Sequence, residues 1–217
     1  MNISGQQLRQ VVPNISLIHA IDLAAISNRL CPLYGLVNAN VYHEFIANCA
    51  HESGGFRIRK ESLNYTRPER LVAVWPSRFT KTGEPGKRDA RLWVNKPTEL
   101  ANFVYGGRMG NIQPNDGSTF VGGGFAQITG RDAYTLYTRF INNRDGSKFT
   151  VQQMAKNVQE TDQWAFDSAL WFFCEYKNLE YMAIQDNFRE VVKRWNGGFV
   201  GMDDRLKYYE RAKQFIK

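Results

Sequence analysis

The stretch NANVYHEFIANCAHESGG, Asn38–Gly55, decides how this chain folds. Val41, Phe45 and Cys49 recur every four residues, the period of one face of an α-helix. The spacing predicts a helix over about 38–52, broken by Gly54-Gly55. Glu52 falls on the apolar stripe one turn beyond Cys49, and Asn48 lies beside it, so the stripe turns polar toward this end. A carboxylate there faces the core side, loses water and sits near the negative end of the helix dipole. Both effects favour the protonated form that a general acid needs. The competing reading is a carboxylate paired with a buried arginine, for which Arg57, Arg59 and Lys60 stand nearest in sequence.

Helical patterns extend on both sides of this stretch. Ser4 suits the cap of a short first helix carrying Leu8, Val11 and Val12 and ended by Pro13. A second helix is predicted over Ser16–Leu30, with Leu17, Ile21 and Ala24 inward and a stop before Pro32. Between about Arg67 and Asn111 the composition shifts. Pro68, Pro76, Pro85 and Pro97, the turn-like run KTGEPGKRDAR and then the helical PTELANFVYGGRMGN mark this stretch as a small inserted lobe. Helical patterns return over Val151–Tyr176, Leu179–Trp195 and Asp203–Phe215, while strand signals are confined to about Gly124–Thr129. The expected fold is mainly α. A two-lobed helical domain is expected, its larger lobe about 1–66 and 112–217, its inserted lobe about 67–111.

Composition narrows the function classes. With 217 residues, 43% hydrophobic and 13% aromatic, the chain is long and apolar enough for a packed core. A net charge of +7 draws it to polyanions, although surplus lysine also serves solubility alone. Three cysteines, Cys31, Cys49 and Cys174, with no CxxC, read as reduced thiols packed as small apolar groups. His19, His43 and His51 lack metal-ligand spacing, and no cofactor or metal is expected. GGRMG and GGGF lack the lysine and serine of a phosphate loop. The N-terminus has no basic region followed by an apolar run, so no signal peptide is expected, and no stretch is long and apolar enough to span a bilayer.

A second carboxylate, Glu61, follows the glycine turn and opens ESLNYT. Two acidic groups joined across a loop divide the work of glycoside hydrolysis, one protonating the leaving oxygen while the other attacks or activates water. Three separated motifs strengthen this reading: AHESGGF with ESLNYT at Ala50–Thr66, GGGFAQITGRDAY at Gly122–Tyr134, and RWNGG at Arg194–Gly198 with Asp203-Asp204-Arg205. In this order they resemble the family 19 glycoside hydrolases, the chitinase family, and especially its phage endolysins. The resemblance implies a lysozyme-like fold and an inverting mechanism in which Glu52 is the general acid and Glu61 the general base. Thr129 would help hold the attacking water. Gln127, Asn196 and Arg205 would bind sugar, Arg205 matching a basic residue near the acid pair in some members. Tyr65 is a candidate for stacking on sugar; Tyr134 reads as core. Gln127 and Thr129 equally suit backbone bonds in a turn, and Asn196-Gly197-Gly198 a helix stop. The chain departs from the family pattern with Ser53 for threonine, Gly123 for a frequent arginine, and Asp132-Ala133 where asparagine often precedes the tyrosine.

The inserted lobe resembles that of phage endolysins, and its Lys81, Lys87, Arg88, Arg91 and Lys96 suit anionic peptidoglycan as well as they suit a solvated loop. The expected partner is therefore peptidoglycan and not nucleic acid, cut at β-1,4 bonds between amino sugars by a monomer. It would be made in the host cytoplasm and released through a holin-type pore to act at the cell wall, in the periplasm. The alternatives are a chitinase of the same family, a non-catalytic wall-binding protein, or a secreted effector with the same chemistry. The aromatic run from Trp164 to Tyr176 reads as core helix. The basic, amphipathic DDRLKYYERAKQFIK suits transient contact with an anionic membrane, or, more commonly for such helices, packing on its own domain.

Overall fold

The computed structural model describes residues 2–217. Helices α1 (Gly5–Val11) and α2 (Leu17–Leu30) lead through a 3-10 turn over Cys31–Tyr34 into α3 (Ala39–Glu52). Ser4 and Gln7 close a capping box on α1, and Ser16 caps α2. The buried face of α2 is Ala20, Leu23, Ala24, Ser27 and Leu30, whereas Leu17, Ile18 and Ile21 are exposed. This corrects the predicted face: small residues turn inward because α1 crosses α2 so closely that a Cβ on Gly5 would meet the Ile21 backbone at 2.7 Å. The single stripe predicted for α3 is corrected too, since every residue from Val41 to Ala50 is buried. Helix α3 runs through the core of the main lobe, packed by helices from the C-terminal end of the chain and joined to α2 by the Tyr42 and Ser27 hydroxyls at 3.0 Å.

The small lobe has its own apolar cluster. It holds α4 (Pro68–Val74), the two-residue parallel pair β1 (Phe79–Thr80) and β2 (Arg88–Asp89), and α5 (Pro97–Tyr105), followed by α6 (Asp116–Thr119). Pro68 and Pro97 start helices, because the first turn wants no donor there. Leu71, Phe79, Leu100 and Val104 pack with Trp75, Trp93 and Phe103, and Leu63 and Val121 close the cluster from the two crossing segments.

The return to the main lobe begins with α7 (Arg131–Asp145), a helix the sequence analysis did not assign. It buries Tyr134, Tyr137, Thr138 and Ile141, a legible i, i+3, i+4, i+7 set hidden in a polar stretch. The predicted Val151–Tyr176 helix is three pieces: α8 (Val151–Glu160), α9 (Asp162–Trp171) and a π-helical turn over Phe172–Tyr176. The first break comes at Thr161, which is extended and caps α9 through Trp164 N–H. Likewise Leu179–Trp195 divides into α10 (Glu180–Ile184) and α11 (Phe188–Asn196), because Asp186 turns left-handed. Helix α12 (Met202–Phe215) lies along α3 and α1 with Met202, Arg205, Tyr209 and Ala212 buried. No strand forms over 124–129, where Gly123 makes isolated bridges to Lys60 and Ile128. The three cysteines are buried free thiols. Among the described residues no helix is long and apolar enough to cross a membrane.

Candidate active site

The break after α3 builds the site. Ser53 donates its hydroxyl to Cys49 O at 2.6 Å and accepts Phe56 N–H at 2.8 Å, a pair of bonds that threonine would also make. Gly54, Gly55 and Phe56 all have positive φ, and Phe56 is anchored edge-on against Phe125 at 5.0 Å. This reversal throws the strap Arg57–Glu61 across to the glycine loop. There Gly124 N–H donates to Arg59 O and Glu61 N–H donates to Gly122 O, each at 2.8 Å. The chain has glycine at 123 for want of space: a Cβ there would lie 2.1 Å from the Tyr134 hydroxyl. Tyr134 is fully buried and reaches back to Val121 O, as a core residue should.

Glu52, at the last turn of α3, keeps about a fifth of its side chain exposed (20%) and is bound by the guanidinium of Arg205, whose side chain is 1% exposed. Arg205 also donates to Asn48 Oδ1 at 2.6 Å, and Asn48 is fixed in turn by donating to Glu44 O at 2.8 Å. Two expectations are corrected here. Glu52 keeps contact with water instead of losing it, and it is paired with a buried arginine, as the competing reading allowed. Its arginine comes from α12 rather than from Arg57, Arg59 or Lys60. Arg205 is too buried to meet sugar; its contact is with the acid.

Glu61 is held from the small lobe. The phenol of Tyr105, on α5, donates to its two oxygens at 2.9 and 2.8 Å, with Gly122 N–H at 3.4 Å. Burial, then the Glu61 charge, hold the Tyr105 phenol well above its usual range, so it stays a proton donor across the working pH range. Tyr105 was missed because no motif marks it; it lies in a stretch legible only as lobe. Tyr65, expected to stack on sugar, instead packs edge-on against Trp75 at 5.4 Å in the small-lobe cluster.

Three adjoining cavities form one cleft. The central one is lined by both Glu52 and Glu61, with Arg57, Arg59, Lys60 and Gln127. On one side Glu52 and Gln127 continue into a cavity with Thr129, Tyr176, Lys177 and Asn196. On the other, Lys60, Glu61 and Ser62 continue into one with Asn64, Thr98 and Ser118. Gln127 and Thr129 both make the turn bonds that sequence allowed, to Gly124 O at 2.8 Å and Gln127 O at 3.0 Å, while still lining the cleft. Asn196 is exposed at the end of α11, beside the left-handed Gly197. Tyr176, read as core, is 45% exposed on the π-helical turn, which rotates it out of the buried face. His51 meets Asp204 at 2.8 Å. Among the described residues no group of His, Cys, Asp or Glu stands close enough to hold a metal ion.

No protein-family model matches the chain. A glycosyl hydrolase family 19 domain-containing protein of Haemophilus influenzae is 31% identical over 177 residues, 81% of this chain and 80% of the relative. The fold matches the crystal structure of chitinase C from Streptomyces griseus with a TM-score of 0.61 and 15% identity, over 99% of this chain and 76% of that one. It matches that of a bacterial family 19 chitinase with a TM-score of 0.62 and 16% identity, over 99% and 95% of the two chains.

Proposed function

The chain belongs to glycosyl hydrolase family 19, and on that premise we propose that this glycosidase hydrolyses β-1,4 bonds between amino sugars of bacterial peptidoglycan by an inverting, two-glutamate mechanism. The observation that carries the reading is the single cavity lined by Glu52 and Glu61. In this mechanism Glu52 protonates the leaving oxygen. Glu61 takes a proton from water on the opposite face of the sugar, and the water attacks the anomeric carbon. Thr129 helps hold that water, and Gln127 and Asn196 bind sugar along the cleft.

The two carboxylates have different surroundings. Glu52 sits against a buried guanidinium at a helix end, and Glu61 against a neutral phenol on the other lobe. The basic small lobe, with Lys81, Lys87, Arg88 and Lys96 at its surface, supports an anionic polymer over a neutral one. In biological terms we read the chain as a lytic enzyme of phage type, made in the host cytoplasm and released to the wall by a holin-type pore.

The test is turbidity loss and new reducing ends on purified peptidoglycan, with chitin oligomers in parallel and Glu52→Gln and Glu61→Gln beside wild type. The expected result is cleavage of peptidoglycan that drops by about 100-fold or more in each variant. Cleavage of chitin oligomers alone would make the protein a chitinase. Pelleting with cell walls without cleavage of either would make it a binding protein.

A further inference from the structure

The basic run Arg57, Arg59, Lys60 is unused by the mechanism above, because Glu52 takes its cation from Arg205 and Glu61 its donor from Tyr105. All three residues nevertheless line the cavity that holds both glutamates. Arg59 is neutralised on its far side by Asp162 at 2.6 Å, which His19 also meets at 2.9 Å. Arg57 spends only its Nε, on Gly54 O at 2.8 Å, and Lys60 is exposed; among the described residues neither makes an ion pair. Two residues with unneutralised cations therefore stand in the wall of the cavity that holds both glutamates. Their backbone is fixed: Arg59 O and Glu61 N–H are both tied to the glycine loop, and Phe56 is buried behind them.

We propose that this strap is a subsite for a carboxylate carried by the substrate, with Arg57 and Lys60 as its ligands; the inference rests on the wall-glycan reading above. A chitin chain has no charge for these cations to meet. The peptidoglycan repeat carries one on every second sugar, either the lactyl acid itself or the carboxylates of the peptide attached to it. A guanidinium and an ammonium held within one cavity bind such a group by charge-assisted hydrogen bonds. Discrimination between acidic and neutral glycans then lies inside the cleft beside the glutamates, and the lobe surface adds only long-range attraction.

The experiment measures kcat/KM on peptidoglycan and on chitin oligomers for wild type, Arg57→Gln, Lys60→Gln and the double variant, with thermal melting to confirm folding. The subsite predicts that the peptidoglycan-to-chitin ratio falls about tenfold in each single variant and further in the double. The loss should lie mainly in KM and shrink as salt is raised. On wild type alone, peptidoglycan whose carboxyls have been converted to amides should show the same loss. Glycan strands stripped of peptide separate the sources: retained preference assigns the lactyl acid, and lost preference assigns the peptide. If wild type cuts peptidoglycan but the ratio is unchanged in the variants and on the amidated polymer, the subsite is refuted and the proposed function stands. If wild type cuts only chitin, both fall.

Discussion

The phenol of Tyr105 donates to both carboxylate oxygens of Glu61, and the two residues belong to different lobes. The small lobe thus helps hold one of the two carboxylates of the proposed mechanism. Tyr105→Phe removes this donor and little else, since the ring packs with the small-lobe cluster. We expect kcat to fall by about 10- to 100-fold with KM nearly unchanged, because the lost bond orients a proton-transferring group and touches no distant part of the substrate. Steady-state kinetics on the cleaved glycan would check this; a rise in KM alone would assign Tyr105 to substrate binding instead.

Arg205 gives the second prediction. It is buried, and it joins Glu52 to Asn48 across α3 and α12. Arg205→Met leaves Glu52 without its cation and Asn48 without its donor. The cost should be about 3 kcal/mol of stability, as when one partner of a buried ion pair is removed. Arg205→Lys should lose less stability and still lose activity, because an ammonium cannot bridge both partners as the guanidinium fork does. Denaturant unfolding and activity read together separate the two effects. Equal stability of Arg205→Met and wild type would refute the bridging role.

How much of this site was legible depended on whether its residues are neighbours in sequence. Glu52, Ser53 and the glycine break lie in one stretch, and its helical period and stop signal carry the geometry almost directly. Glu61 was legible through its motif. Of the partners that hold the two carboxylates, Arg205 was legible only through its motif, as a basic residue near the acid pair, and Tyr105 not at all, because they stand 153 and 44 residues away and only tertiary packing brings them in. The burial of every residue of α3 from Val41 to Ala50 was missed for a related reason. An amphipathic stripe assumes one solvated face, and the helix instead runs through the core of the lobe, with polar Glu44 and Asn48 inside it. Tyr65 and Tyr176 exchanged roles, the first entering a core and the second the cleft, since aromatic composition alone does not separate a wall from an interior.

Gly123 supplies a third prediction. A methyl at this position meets the Tyr134 hydroxyl at 2.1 Å and Gln159 Cγ at 3.0 Å, on a residue that also bridges Lys60. Gly123→Ala should therefore destabilise the protein by about 1–3 kcal/mol and loosen the strap that carries Glu61. Tyr134→Phe removes the clashing oxygen, so the double variant should be more stable than the sum of the two singles. A double-mutant cycle by thermal or denaturant unfolding measures this coupling. Strict additivity would show that the loop moves away from α7 to admit the methyl.

Glu44 makes the last prediction, and it concerns pH. It is fully buried in α3, neither of its oxygens has a hydrogen-bond partner, and burial, assisted by Asp186 and opposed by Lys213, pushes its pKa up to about 8 from an ordinary 4.5. Below about pH 4.5 both folded and unfolded chains carry this proton and Glu44 imposes no penalty. Between 4.5 and 8 the unfolded chain has released the proton while the folded chain keeps it, so stability falls as pH rises, by at most about 5 kcal/mol in total. Above 8 both forms are ionised and the loss is complete. His43, the buried neighbour, is shifted the opposite way, downward by burial, and opposes this trend. The comparison that isolates Glu44 is therefore with Glu44→Met, a side chain of similar length without a proton to lose. The variant should melt higher than wild type at pH 8, and the difference should shrink steadily toward pH 5. Parallel melting curves over that range would mean that Glu44 is ionised in the folded protein and finds a counter-charge, most simply from Lys213 swinging inward between α3 and α12.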